Sequence, residues 1–163
     1  MARIYISIGS NTNRSFHIQA AVTELRRHFA AVQLSSVYES EAVGFDGNAF
    51  YNLVAQADTS LSITACVALF KQIEDRYGRD RSAARFSGRT LDLDLLTYDD
   101  TVCAEPVELP RPEITENAFV LWPLAELAPQ VTHPLSGKTY AELWQHYAKQ
   151  QKLWPVPFKW SAQ

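Results

Sequence analysis

The chain has 163 residues, 47% of them hydrophobic, and its formal net charge is −3 at pH 7. These values predict one compact domain over residues 1–163, and they argue against a protein that coats nucleic acid. No apolar run approaches the length of a membrane-spanning helix. With two cysteines in apolar surroundings and no signal-peptide pattern at the amino terminus, we expect a protein of the reducing cytoplasm.

The first half of the chain predicts three strands and one helix. Alternating β-branched and polar residues predict a strand over 3–8, and helical spacing of apolar residues from the N-cap candidate Ser15 predicts the first helix. Residues 32–40 and 49–57 predict two further strands. We expect these two strands to pair as a hairpin with a long connection.

The second half adds a helix, a strand and two more helices. Apolar spacing predicts a helix over 63–77, a strand follows at 91–98, and helices are expected around 117–127 and 140–148. The resulting order, βαββαβ with additional C-terminal helices, predicts an α+β protein with a ferredoxin-like core. Residues 153–160, rich in tryptophan and proline, have no assigned element, and we expect them to pack against the domain.

Two carboxylates in one strand are the most informative local pattern. In the segment 89–96, leucines alternate with Asp92 and Asp94, so the two carboxylates share one strand face while the leucines share the other. Adjacent carboxylates repel each other, and aspartate is a poor strand former. A strand face open to solvent would tolerate the pair. A magnesium site explains it better, because carboxylate oxygens are the hard ligands that magnesium prefers. We therefore predict that Asp92 and Asp94 bind metal.

A cluster of arginines lies immediately upstream of this strand. Residues 76–89 contain five of the 15 basic residues of the chain. A charged run is often only solvated surface, but arginine offers planar, bidentate donors to phosphate oxygens. Its position before a metal-binding strand favours a phosphate-rich ligand.

Three phenylalanines, Phe50, Phe86 and Phe119, stand beside polar or loop residues. Aromatic residues usually belong to the core, but a flat heterocyclic ligand would use such rings for stacking. Asn52 shares the strand face of Phe50, so its amide is placed to bind the edge of such a ring. The common nucleotide-binding glycine motifs are not found in the sequence.

Together these segments resemble the 6-hydroxymethyl-7,8-dihydropterin pyrophosphokinase family of the folate pathway. The resemblance implies a ferredoxin-like enzyme that transfers the β,γ-diphosphate of ATP to the hydroxymethyl group of the pterin and releases AMP. It also implies a monomer whose partners are ATP and a reduced pterin, with no nucleic acid and no membrane. The segments that carry it, in the family's order, are residues 8–11, 35–38, 50–52, 72–74, 89–96 and 119–124.

The same resemblance implies roles for individual residues. Asp92 and Asp94 would hold two magnesium ions. The residues implied in ATP binding are Glu74, Arg79, Arg81, Arg85 and Arg89, and Arg79, Arg81 and Arg89 among them are implied in catalysis. The residues implied in pterin binding are Ser40, Val43, Phe50, Asn52 and Phe119.

Several positions depart from the family pattern. Glu41 replaces a proline in the loop after the second strand, Glu113 stands where a histidine contacts the nucleotide, and Asn117 replaces a basic residue. A carboxylate near phosphates predicts weaker ATP binding by repulsion. Two alternatives therefore remain open. One is a divergent pterin-binding paralogue with weak or no kinase activity, or with an altered pterin substrate; the other is a ferredoxin-like RNA-binding module.

Overall fold

The computed structural model describes residues 1–41, 49–78 and 91–160. Six strands form a sheet in the order β5-β1-β4-β3-β6, with β2 also paired to β4. The pairings of these strands are antiparallel. The strands are β1 (Ala2–Ser10), β2 (Ala30–Leu34), β3 (Val37–Ser40), β4 (Phe50–Thr59), β5 (Asp92–Tyr98) and β6 (Leu153–Val156).

Helices cover both faces of this sheet. The helices are α1 (Arg14–His28), α2 (Ile63–Arg76), α3 (Glu113–Glu116), α4 (Ala118–Leu127) and α5 (Tyr140–Gln145). Helices α1 and α2 bury their apolar residues against one face, and α4 and α5 bury theirs against the other. None of the helices in the described ranges has the length and apolarity that a membrane-spanning helix requires.

Alternation along the strands creates these two cores. Ile4, Ile6 and Ile8 of β1 pack in the core of α1 and α2, whereas Tyr5 between them packs in the core of α4 and α5. Such alternation follows from the period of two residues in a strand. The βαββαβ order predicted from the sequence is confirmed, as is the hairpin of the strands on either side of residues 41–49.

Several details differ from the sequence prediction, among them the end of α5 at Gln145, three residues before the predicted end. The strand predicted over 32–40 is divided at Ser35, whose hydroxyl accepts a hydrogen bond from the Val54 N–H at 2.9 Å in place of a ladder partner. Helix α1 begins at Arg14, one residue before the predicted N-cap Ser15. The short helix α3 and the C-terminal strand β6 were not predicted, because neither has the length or the periodicity that identifies an element.

Arg76, the first residue of the arginine cluster, has a structural partner. Its Nη1 lies 2.9 Å from Oε2 of Glu24, whose other oxygen lies 2.9 Å from Nη1 of Arg27. Glu24 is 2% exposed, so this buried carboxylate is paired on both oxygens and joins the end of α2 to α1.

Candidate active site

The paired carboxylates lie on the edge strand β5. Leu91, Leu93 and Leu95 are buried in the core of α1 and α2, so the predicted alternation is confirmed and Asp92 and Asp94 face the opposite side of the sheet. Asp94 is exposed and Asp92 is half-buried. Two carboxylates on an edge strand are suitable ligands for magnesium, which proteins commonly hold through one or two carboxylates together with substrate phosphates and water.

Glu74 fastens helix α2 to the strand that carries these carboxylates. The Leu93 N–H donates to Oε2 of Glu74 at 2.8 Å, and Glu74 is 5% exposed. Leu93 stands between Asp92 and Asp94 on the edge strand β5. The buried carboxylate thus binds a backbone donor of this strand and fixes the position of the segment that bears Asp92 and Asp94.

A further cation, Arg111, lies beside the carboxylate pair. Its Nη2 is 3.4 Å from Oδ1 of Asp94, and its Nε donates to the carbonyl of Leu95 at 3.2 Å. The Arg111 N–H also donates to the carbonyl of Leu96 at 2.9 Å, which extends pairing along the free edge of β5. Sequence reasoning missed Arg111, because it stands between two prolines in a segment without periodicity.

Glu113 lies close to both of these charged groups. Its Oε2 is 3.8 Å from Nε of Arg111. Burial raises the pKa of the Glu113 carboxyl, Arg111 opposes that rise, and the negative charge of Asp94 adds to it. Glu113 is therefore repelled by Asp94, and the neighbouring guanidinium offsets this repulsion. The repulsion expected from the sequence is instead between Glu113 and the ATP phosphates. Its effect on ATP binding stays a prediction.

A cavity of about 260 Å³ opens between α2 and the edge of β5. Its charged lining comprises Lys71, Glu74, Asp94 and Arg111, and its apolar wall includes Phe70. Apolar surface beside two cations suits a ligand with a flat base and phosphates. Glu74 and Asp94 were identified from the sequence, whereas Lys71 was not.

The residues predicted to bind the heterocycle meet on the same sheet face, two and three strands further in, on β4 and β3. Nδ2 of Asn52 donates to Oγ of Ser40 at 2.7 Å, and both residues are almost fully buried. Phe50 is paired with Ser40 across β3 and β4. Gly9 of β1 leaves room for this amide, since a Cβ at Gly9 would lie 3.0 Å from Oδ1 of Asn52. The fixed Asn52 amide is placed to present hydrogen-bonding groups to a ring edge.

Phe119 lies in the wall of a second cavity, of about 410 Å³. Ser40 and Glu41 line the same cavity, so the structure brings together residues from β3 and from the first turn of α4. The remaining wall comes from the C-terminal residues Gln150, Gln151, Lys152 and Leu153, which sequence reasoning did not connect with the site.

Several predicted site residues lie outside the described residues. They are Val43, Arg79, Arg81, Arg85 and Arg89, together with Phe86 among the candidate aromatics. Their roles stay predictions.

The sequence matches one family model over most of its length. Residues 5–129 match the model of 7,8-dihydro-6-hydroxymethylpterin-pyrophosphokinase (HPPK). Proteins named 2-amino-4-hydroxy-6-hydroxymethyldihydropteridine pyrophosphokinase are similar in sequence. That of Aquifex aeolicus is 34% identical over 146 residues, covering 87% of this chain and 90% of the relative. That of Bacillus subtilis is 38% identical over 132 residues, covering 78% of each.

Solved structures share the fold. The HPPK-DHPS protein of Plasmodium falciparum, in a crystal structure with pteroate, matches 90% of this chain with a TM-score of 0.73 at 12% sequence identity. The match covers 42% of that longer chain, so this chain spans less than half its length. At this identity the likeness concerns the fold alone, a mixed α+β fold of the ferredoxin-like type.

Proposed function

The chain belongs to the 7,8-dihydro-6-hydroxymethylpterin-pyrophosphokinase family, and from that premise we propose how its own residues perform the family's reaction. It is a pyrophosphokinase of folate biosynthesis, a diphosphotransferase that uses ATP. The relatives named as pyrophosphokinases do not favour the inactive-paralogue alternative.

One observation carries the proposal: Gly9 of β1 is paired with Asn52 on one side and with Asp92 on the other. Residues directly opposite each other in a sheet share a face, and neighbouring strands are about 4.8 Å apart. A pterin bound at Asn52 and phosphates bound at Asp92 would therefore be adjacent across a position without a side chain. Such adjacency supports direct transfer between the two bound substrates.

Asp92 and Asp94 are the residues that would hold magnesium, and we propose two ions. The Cα atoms of residues two apart on a strand are about 6.5–7 Å apart, so the two carboxylates would offer oxygen ligands to two ions side by side. When bound, magnesium neutralises phosphate charge and polarises the phosphorus under attack.

The cationic side chains would hold the triphosphate and the departing nucleotide. Arg111, 3.4 Å from Asp94, is placed to contact phosphate oxygens beside the carboxylates. We assign ATP binding to Arg79, Arg81, Arg85 and Arg89 as well, with Arg79, Arg81 and Arg89 steadying the charge that develops on AMP. Glu74 contributes by fixing β5 through Leu93.

The pterin would stack between Phe50 and Phe119, with its edge bound by Asn52 and with Ser40 and Val43 beside it. The hydroxymethyl oxygen forms a bond to the β-phosphorus and loses its proton to water, while the bond from that phosphorus to the oxygen bridging the α-phosphate breaks and AMP leaves. No covalent enzyme intermediate is required. Catalysis rests on positioning and on neutralisation of charge.

Membership of the family also guides three proposals about the chain as a whole, namely its domain organisation, its oligomeric state and its location in the cell. We propose that residues 1–163 form one catalytic domain and that the protein acts as a monomer. We place the reaction in the cytoplasm, where the free thiols of Cys66 and Cys103 would stay reduced.

The test is product formation from ATP, magnesium and 6-hydroxymethyl-7,8-dihydropterin. AMP and the pterin diphosphate are expected in equal amounts, resolved by chromatography. Formation of ADP with a pterin monophosphate, or the lack of any AMP at high enzyme and millimolar ATP, would contradict the proposal.

A further inference from the structure

Two side chains of the C-terminal region hold the junction between α3 and α4. Oε1 of Gln151 accepts a hydrogen bond from the Ala118 N–H at 2.8 Å, and its Nε2 donates to the Glu116 carbonyl at 3.3 Å. The Tyr147 hydroxyl donates to the same carbonyl at 2.6 Å. We call Tyr147 and Gln151 the C-terminal clamp. Both bind backbone groups within three residues of Phe119.

The N–H of Ala118, the first residue of α4, needs a partner from outside the helix. The first N–H groups of a helix have no partner within it, and an N-cap side chain binds that of the second or third residue rather than that of the first. The side chain of the N-cap residue Asn117 makes no capping hydrogen bond. Ala118 is 2% exposed, so its N–H relies on the amide of Gln151, a residue 33 positions later in the chain.

The segment that bears Gln151 is anchored on both sides. After it, β6 pairs with β3, with Leu153 opposite Ser40. Further on, Phe158 makes an edge contact with Tyr51 at 5.8 Å between ring centroids. Before it, Tyr147 stacks on Trp144 at 5.5 Å. Because the chain on either side of Gln151 is held in place, its side chain fixes the positions of the Glu116 and Ala118 backbone groups that it binds.

The same segment lines the cavity that contains Phe119. Residues 150–153 share its wall with Ser40, Glu41 and Phe119. We propose that the C-terminal clamp positions Phe119 and that residues 150–153 form the outer wall of the pterin pocket, so that the C-terminal region sets pterin affinity. This inference rests on the proposed function, in which Phe119 stacks on the pterin.

We expect the C-terminal clamp to affect the binding of the pterin but not the binding of the nucleotide. The clamp contacts Glu116 and Ala118, whereas the candidate nucleotide cavity is lined from α2, β5 and Arg111. Loosening the clamp would shift Phe119, whereas Arg111 is held beside Asp94 by its own hydrogen bonds to the carbonyls of Leu95 and Leu96. Gln151 is therefore a positioning residue for one substrate only.

The experiment compares Gln151→Met with the parent by calorimetry. Protein saturated with magnesium and α,β-methylene ATP is titrated with 6-hydroxymethylpterin, and the affinity for the ATP analogue is measured separately. Two hydrogen bonds are lost, so the pterin Kd is expected to rise about fivefold to tenfold while the nucleotide Kd stays within about twofold. Tyr147→Phe, which removes one donor, is expected to raise the pterin Kd by a smaller factor.

Gln145→Met is the matched control, because Gln145 is an exposed glutamine of α5 and does not line the cavity. It is expected to leave both affinities unchanged. A pterin Kd unchanged in Gln151→Met would overturn the inference, and so would an equal loss of both affinities together with a lower melting temperature. Failure of the parent itself to bind pterin would instead refute the proposed pterin pocket on which the inference rests.

Discussion

Asn52 and Asp92 are the two residues opposite Gly9, one on each of the strands that flank β1. The first is held by Ser40 through a 2.7 Å hydrogen bond, and the second lies on a strand that Glu74 fixes to α2. Each half of the site therefore has its own support, and the halves meet at a residue without a side chain. This arrangement allows the two halves to be disturbed separately.

Gly9→Ala is expected to impair the pterin half. The added Cβ would lie 3.0 Å from Oδ1 of Asn52, so the buried amide must shift and its hydrogen bond to Ser40 is weakened. Loss of one such bond predicts a rise of about fivefold in pterin Kd. Calorimetry on the magnesium-nucleotide complex measures this rise. Equal pterin affinity in parent and variant would mean that Asn52 does not bind the pterin.

Asp94→Asn is expected to impair the metal half. The substitution removes one of the two proposed metal carboxylates, and turnover is expected to fall by about 100-fold or more. The melting temperature is expected to change little, since Asp94 is exposed and its 3.4 Å pair with the half-buried Arg111 contributes only about 0–1 kcal/mol.

Asp100→Asn provides the matched control for that loss. Asp100 is exposed and lies two residues after the end of β5, away from the carboxylate face. AMP release is measured for both variants. Near-parental turnover in Asp94→Asn would remove the metal assignment.

Arg111→Gln is expected to weaken nucleotide binding. A charged donor to a phosphate is lost, which predicts a rise of about tenfold in the KM for ATP with little change in the KM for pterin. Arg26→Gln, which changes an exposed arginine on α1, is the control and is expected to behave as the parent. An unaltered KM for ATP in Arg111→Gln would show that its guanidinium only neutralises Asp94.

Glu113→Gln is expected to tighten ATP binding. Glu113 lies close enough to Asp94 for their charges to interact. Removing its negative charge lowers the repulsion toward phosphates bound near Asp94, which predicts a decrease of about twofold to threefold in the Kd of the ATP analogue. Glu116→Gln in the same short helix is the control. Weaker ATP binding in Glu113→Gln would indicate that the carboxylate orients Arg111 instead.

Stability gives a second measurement on the same variant. A carboxyl whose pKa is raised on folding binds its proton more tightly in the folded state, so it costs stability once it is ionised in both states. Glu113→Gln is therefore expected to be more stable than the parent at neutral pH. The difference should vanish at pH values below the ordinary pKa of a glutamate, where both states of the parent are protonated.

The sequence predicted those parts of the site that depend on local periodicity. Asp92 and Asp94 follow from alternation with buried leucines, and Phe50 and Asn52 follow from their spacing on one strand. The order of the main strands and helices has the same origin. Each of these features depends on the spacing of residues within a short segment, so a single sequence is sufficient to identify it.

Contacts between distant segments could not be predicted in this way. Arg111 reaches Asp94 across 17 positions, and Gln151 reaches Ala118 across 33. Arg76 belongs to the arginine cluster in the sequence, but its structural partner Glu24 lies 52 positions earlier in the chain. In each case the folded sheet decides which partner a long side chain reaches.

The distance between the bound metal and the pterin is the most direct test of the proposed adjacency of the two substrates. Mn²⁺ in place of Mg²⁺, with α,β-methylene ATP and 6-hydroxymethylpterin bound, allows this distance to be measured from the paramagnetic relaxation of the pterin hydroxymethyl protons. Asn52 and Asp92 are two strand spacings apart across Gly9, which predicts strong relaxation and a distance of roughly 10 Å or less. Relaxation no stronger than in the Asp94→Asn variant would contradict the account.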